Sequence, residues 1–376
     1  SVFPLCWTRS CGPRDDLRAR SLDRGFMGRR KGFRLRLVLA AALSAASAAN
    51  WAPQLEGGQE EFVEGAHLVW QAPRGKPAAI LALFHRGGRS AGSWWDKSPS
   101  CPSCSGLPEE KRIVSSALAR GFAAVATSSA DTVMRRWDVH DGPGVASGLA
   151  SLLAQRGWQG LPLYAVGVGC GAGFAATLLP QSLPPGLLRG LHLQLMADQP
   201  FKATLQRPFK GKGLAMLHTP PAKCIVMLHM ARDESVARAA AAIRRSWETG
   251  GARVLEQRAV PQPMRESFFC ESISAVSCGE SSALVGALLV AGYISSGGFL
   301  LADPQRSAWR SVVSAPVGRR GPQELGMLRA LTRDRLEVGR SPIAQEMHRA
   351  YALNEVTAEF MNETLAFFLA SRENVN

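Results

Sequence analysis

A chain of 376 residues, 46% apolar and 20% charged, can bury one large core and has the composition of an ordinary globular protein. Its formal charge of +14 invites an acidic partner. However, residues 1–50 carry ten Arg and Lys against three Asp, half of the excess. The rest is spread thinly, with no basic run interleaved with aromatics, which excludes a nucleic-acid groove as the reading.

The sequence begins at Ser1, and from Met27 it reads MGRRKGFRLRLVLAAALSAASAANWAP. A basic stretch, an apolar run from Leu35 to about Ala46 and the small-x-small site Ala46-Ser47-Ala48 follow the pattern of a secretory signal peptide. The expected location is therefore secreted or in an endomembrane or organelle lumen, with an organelle leader as the alternative. The apolar run is too short for a stable membrane span. Residues 1–48 read as this leader, 49–64 as a polar linker and 65–376 as the folded domain.

Within that domain, strand-like and helix-like segments alternate. His67 to Gln71, Ala78 to Phe84, Phe122 to Ser128, Leu161 to Val168, Leu191 to Met196, Cys224 to Met230 and Arg253 to Val260 read as strands. Leu107 to Arg120, Gly144 to Arg156 and Ser235 to Glu248 read as helices between them. Short apolar strands alternating with helices predict a mostly parallel sheet covered on both faces, with its site at the carboxyl ends of strands. Residues 261–320 break the rhythm, with a helix near Ser281 to Ala291, as a helical cap insertion would. Glu324 to Val338, Pro342 to Tyr351 and Glu355 to Ser371 read as closing helices, the last with an apolar stripe at Val356, Phe360, Leu365, Phe368 and Leu369.

The stretch LPLYAVGVGCGAGFAATLL, residues 161–179, is an apolar strand, a glycine turn and a helix of small residues. That is the layout of a nucleophile elbow, G-x-S-x-G, in the α/β-hydrolase fold. The frame here is Gly167-Val168-Gly169-Cys170-Gly171, so glycine occupies the nucleophile position. The chain order in this fold is nucleophile, acid, histidine. Asp233, at the end of an apolar strand, fits the acid and also a helix N-cap. Asn354, before the last helix, stands where the histidine is expected, and an amide is no general base near neutral pH. His85, Gly87 and Gly88 form the loop expected to shape the oxyanion site.

Other residues carry a specific signature: Trp95-Asp96-Lys97-Ser98-Pro99 after the His85 loop, Cys101-Pro102-Ser103-Cys104, Gly106-Leu107-Pro108-Glu109-Glu110, Gly298-Phe299-Leu300, Asp303-Pro304 and Ser341-Pro342-Ile343. On these, most of residues 65–372 resembles a family of α/β-hydrolase-fold proteins of plants and algae. The resemblance implies a serine at the position of Gly169, an acid at Asp233 and a His-Glu pair at Asn354-Glu355. Serine and histidine are thus both replaced, and the expectation is a degenerate triad on an intact scaffold that binds a small acyl, lipid or sugar-like ligand or a protein partner.

The alternative is an active esterase or acyl hydrolase using Cys170, which follows the elbow position, with His85, His229 or His348 as an unconventional base. Against it, the residue after the nucleophile points its side chain away from the site, and free cysteine is often simply buried. Cys101 with Cys104, and Cys270 with Cys278, are candidate disulfides in an oxidising lumen. Their spacing does not complete a zinc site, so no metal and no cofactor is expected. Trp94, Trp95 and Trp137 read as pocket lining or core.

Overall fold

Uninterrupted runs of Ala, Val, Leu and Ile make strands that both faces of a sheet can bury. The computed structural model describes Leu55 and residues 57–196, 219–314 and 341–372. The Met27–Ala48 leader, the helix expected at Glu324 to Val338 and the cap residues beyond Ser314 lie outside these. The strands are β1 (Gln59–Val63), β2 (Ala66–Gln71), β3 (Ala79–Phe84), β4 (Phe122–Thr127), β5 (Leu163–Val168), β6 (Leu188–Gln194), β7 (Cys224–Met230) and β8 (Arg253–Ala259). They lie in the order β1-β2-β4-β3-β5-β6-β7-β8. β2 runs antiparallel to β1 and β4, and the remaining neighbours are parallel. β1 corrects the expected linker: Gln-Glu-Glu-Phe-Val is polar because it is an edge strand with exposed and half-buried positions.

Alternation along β3 feeds two cores. Ile80, Ala82 and Phe84 face α2 (Asp141–Gln155), α3 (Cys170–Thr177) and α5 (Glu234–Thr249). Leu81 and Leu83 face α1 (Pro108–Ala119) and α10 (Met361–Arg372), where Ile113, Val114, Leu365 and Phe368 are buried. The short α4 (Leu179–Ser182) follows α3. Trp94 and Trp95 lie in the second core and Trp137 in the first.

α6 (Phe268–Ser272), α7 (Cys278–Val290) and α8 (Trp309–Ser314) share a third core with α9 (Pro342–Tyr351), built on Phe269, Leu284, Leu288, Trp309, Ile343 and Met347. The last helix starts at Met361 and not near Glu355; the segment between α9 and α10 is a loop held by side-chain hydrogen bonds. Disulfides join Cys101 to Cys104 and Cys270 to Cys278. Among the described residues, no helix is long and apolar enough to cross a membrane.

Candidate active site

β5 ends at Val168 and α3 opens at Cys170, leaving Gly169 to reverse the chain with φ 56° and ψ −118°. A side chain strains such a backbone, whereas glycine adopts it freely. The flanking glycines are required by space. A Cβ on Gly167 would lie 2.5 Å from the Gly171 carbonyl oxygen, and one on Gly171 would strike the carbonyl of Phe84. The Gly169 N–H donates to the Gln194 carbonyl at the end of β6, at 2.9 Å.

The loop after β3 is pinned through His85. The Ser129 N–H donates to His85 Nε2 at 3.1 Å, so the ring proton sits on Nδ1 and is donated to the Arg86 carbonyl at 2.8 Å. Burial, aided by the charges of Arg135 and Arg89, lowers its pKa to about 4. Both ring nitrogens are committed, and His85 is a structural residue here. The Trp137 indole N–H donates to the His85 carbonyl at 2.8 Å. The Gly88 N–H donates to the Met134 carbonyl at 3.1 Å, so it is already engaged.

Cys170 belongs to the apolar core with Trp137 and Phe174, whose rings stack 4.5 Å apart. Burial raises its thiol above the ordinary value, against the smaller opposing pull of the Trp137 backbone and the charge of Arg86. Among the described residues, no hydrogen bond joins it to His85, His229 or His348. His229 Nε2 instead meets Glu256 Oε1 at 3.0 Å, and His348 Nδ1 lies 3.2 Å from Glu355 Oε2.

Asp233 caps α5, accepting from the Val236 N–H at 3.3 Å through Oδ1, while its Oδ2 is buried without a partner. The Arg232 N–H, next to it, donates to the Ala352 carbonyl at 3.2 Å and ties this turn to the loop of Asn354. Asn354 adopts φ 52°, and its Oδ1 is likewise buried and unpartnered. Asp233 and Asn354 thus each keep a buried side-chain oxygen with nothing to accept from.

The loop bearing Asn354 is clamped from several sides. Arg86 donates to the Asn354 carbonyl at 3.2 Å and pairs with Glu355 at 2.9 Å. Burial alone would raise the Glu355 carboxyl, yet the charge of Arg86, with His348 and Arg89, holds it at about 2. Gln194 Nε2 donates to the Thr357 carbonyl at 2.8 Å, and its Oε1 accepts from the Thr357 N–H at 3.0 Å. Glu109, at the start of α1, accepts from the Ala358 N–H at 2.6 Å. Its neighbour Glu110 accepts from Gln345 at 2.6 Å. Arg86, Gln194 and Glu355 were not singled out from the sequence for these roles. Gln194 did carry a signal, a buried amide inside the apolar run Leu191 to Met196.

A separate cavity of about 580 Å³ lies between α2 and the turn after α4, lined by residues including Pro143, Ala150, Leu153, Leu163 and Leu187. Among the described residues, no cluster of metal-ligating side chains is found.

No protein-family model matches the sequence, and no curated protein is significantly similar to it. Solved structures of similar shape include a soluble variant of monoglyceride lipase from Saccharomyces cerevisiae in complex with a substrate analog. It is 10% identical, with 57% of this chain and 89% of that one covered and a TM-score of 0.40. Dienelactone hydrolase from Anabaena variabilis is 13% identical, with 55% and 86% covered and a TM-score of 0.37. Esterase B from Lactobacillus rhamnosis is 11% identical, with 60% and 82% covered and a TM-score of 0.36. Likenesses this distant carry no chemistry from one chain to another. The strand order with β2 reversed, and the positive-φ elbow after β5, are the chain's own features, and by them it has the α/β-hydrolase fold.

Proposed function

We propose that the elbow site is catalytically silent and that the scaffold binds a small acyl, lipid or sugar-like molecule, or a protein partner, at the carboxyl edge of the sheet. The observation that carries this reading is Gly169 in the elbow backbone with Asp233 Oδ2 unpartnered. Asp233 reads as the acid of this site, and both the hydroxyl and the imidazole it would serve are absent. Cys170 is no substitute, since burial keeps its thiol protonated within the apolar core. The leader-like Met27–Ala48 segment and the two disulfides are consistent with entry into an oxidising lumen.

Hydrolysis of a short-chain acyl ester by the natural chain, Asp233→Ala and Gly169→Ser/Asn354→His tests the reading. The expected result is turnover by the double variant above a rate that the natural chain and Asp233→Ala share. Turnover by the natural chain that Asp233→Ala abolishes would overturn it.

A further inference from the structure

Away from the elbow, Glu60 on β1, His67 on β2 and Ser128, immediately after β4, form a hydrogen-bonded chain. Ser128 Oγ lies 2.8 Å from His67 Nδ1, and His67 Nε2 lies 2.7 Å from Glu60 Oε1. The Ser128 N–H donates to the His67 carbonyl at 3.0 Å, holding the two residues side by side. The Ala91 N–H donates to Ser128 Oγ at 3.0 Å, so this oxygen already accepts, and its own proton is free to be given.

The direction of the chain follows from its acid. Burial would raise the Glu60 carboxyl, but hydrogen bonds from Ser103 and His67 outweigh it and hold the group below its ordinary value. An ionised Glu60 accepts from Nε2–H, which leaves the Nδ1 lone pair facing the Ser128 hydroxyl. That is the proton arrangement of nucleophile, base and orienting acid, recognised by geometry and not by position in the sequence.

The surroundings fit the chemistry. β4 and β5 flank β3, so Ser128 shares the carboxyl edge with the elbow, at about 10 Å by the spacing of two strands. The Ser128 side is half-buried, and the Phe62 ring, 76% exposed, stacks on His67 at 4.8 Å as an apolar wall. The Cys101–Cys104 loop holds the acid: the Ser103 N–H donates to Glu60 Oε2 at 3.3 Å, and the Ser103 hydroxyl bonds Glu60 Oε1.

We infer that Ser128 is a second nucleophile, independent of the elbow, with His67 as its base and Glu60 as the orienting acid, acting on acyl esters. Ser128 Oγ bonds to the ester carbonyl carbon as its proton passes to His67 Nδ1. The bond to the alcohol breaks, and that proton leaves with the alcohol oxygen. Water, giving a proton to the same nitrogen, then releases the carboxylic acid and restores Ser128.

The full chain treated with a fluorophosphonate, and mapped by peptide mass spectrometry, tests this. The expected label is on Ser128. It is lost in Ser128→Ala, slowed at least tenfold in His67→Gln and unchanged in Ser129→Ala, the neighbouring hydroxyl. A folded wild-type chain that takes no label at Ser128, or labels there at a rate indifferent to His67, overturns the inference.

Discussion

Gln194 and Thr357 are bonded through both ends of the Gln194 amide, at 2.8 and 3.0 Å, while the Gln194 carbonyl takes the Gly169 N–H at 2.9 Å. One residue thereby fixes the elbow relative to the loop of Asn354. Gln194→Leu leaves the buried Thr357 N–H and carbonyl unpaired, and each such group costs about 1–3 kcal/mol. A urea midpoint corresponding to a loss of about 2–6 kcal/mol is expected. An unchanged midpoint would show that Thr357 finds other partners.

Restoring a side chain at the elbow carries its own penalty. Gly169 sits at φ 56° and ψ −118°, and a serine there is expected to lower stability by about 1–3 kcal/mol. Thermal melts of Gly169→Ser and Asn354→His measured separately test this, with the larger drop expected for the first.

Opposing contributions act as pH rises from about 4.5 to about 7: His85, kept neutral by burial and lowered to about 4, adds stability, while buried carboxyls lose it. Glu110, raised to about 7 chiefly by burial, keeps its proton when folded and releases it near 4.5 when unfolded, and burial shifts Glu346 in the same direction. Their contribution is complete below the unfolded value and is lost as pH climbs through the folded one. Glu110→Gln is expected to be more stable than wild type at pH 8 by on the order of 1–3 kcal/mol and nearly equal at pH 5. Glu355, held at about 2, works oppositely, its contribution fading as pH falls from 4.5 toward 2. The difference in urea midpoint between Glu110→Gln and wild type is expected to grow from pH 5 to pH 8, and a difference that does not change with pH would refute the assignment.

Iodoacetamide should leave Cys170 and Cys224 unmodified in the folded chain and alkylate both after denaturation, since both are buried free thiols. Fast native alkylation of Cys170 would reopen it as a nucleophile.

The Cys101–Cys104 loop supplies Ser103 to Glu60. Replacing both cysteines by serine is expected to slow Ser128 labelling several-fold without changing its site. An unaltered rate would separate the loop from the acid.

The strands were legible where apolar runs are unbroken: Cys224–Met230 falls at the bounds that its residues predict. β1 was not, because Gln59–Val63 has the polarity of an edge strand and reads as linker. Helix α10 begins later than its stripe suggests, because Val356 is buried in a loop satisfied by Gln194 and Glu109, partners distant in sequence. The strand, turn and helix around Gly169 could be placed from local pattern, since they are contiguous. Glu60, His67 and Ser128 could not, because they meet across three strands and share no spacing that marks them.

Arg86, bonded to both Asn354 and Glu355, joins the loop after β3 to the loop before α10. It holds position 354 by main chain and neighbour and leaves that residue's own side chain unused. The backbone there is a socket whose shape is independent of the tool fitted into it. An imidazole, an amide or a synthetic ligating group at 354 would start from the same anchored backbone, which makes this position the natural entry point for redesigning the chain's chemistry.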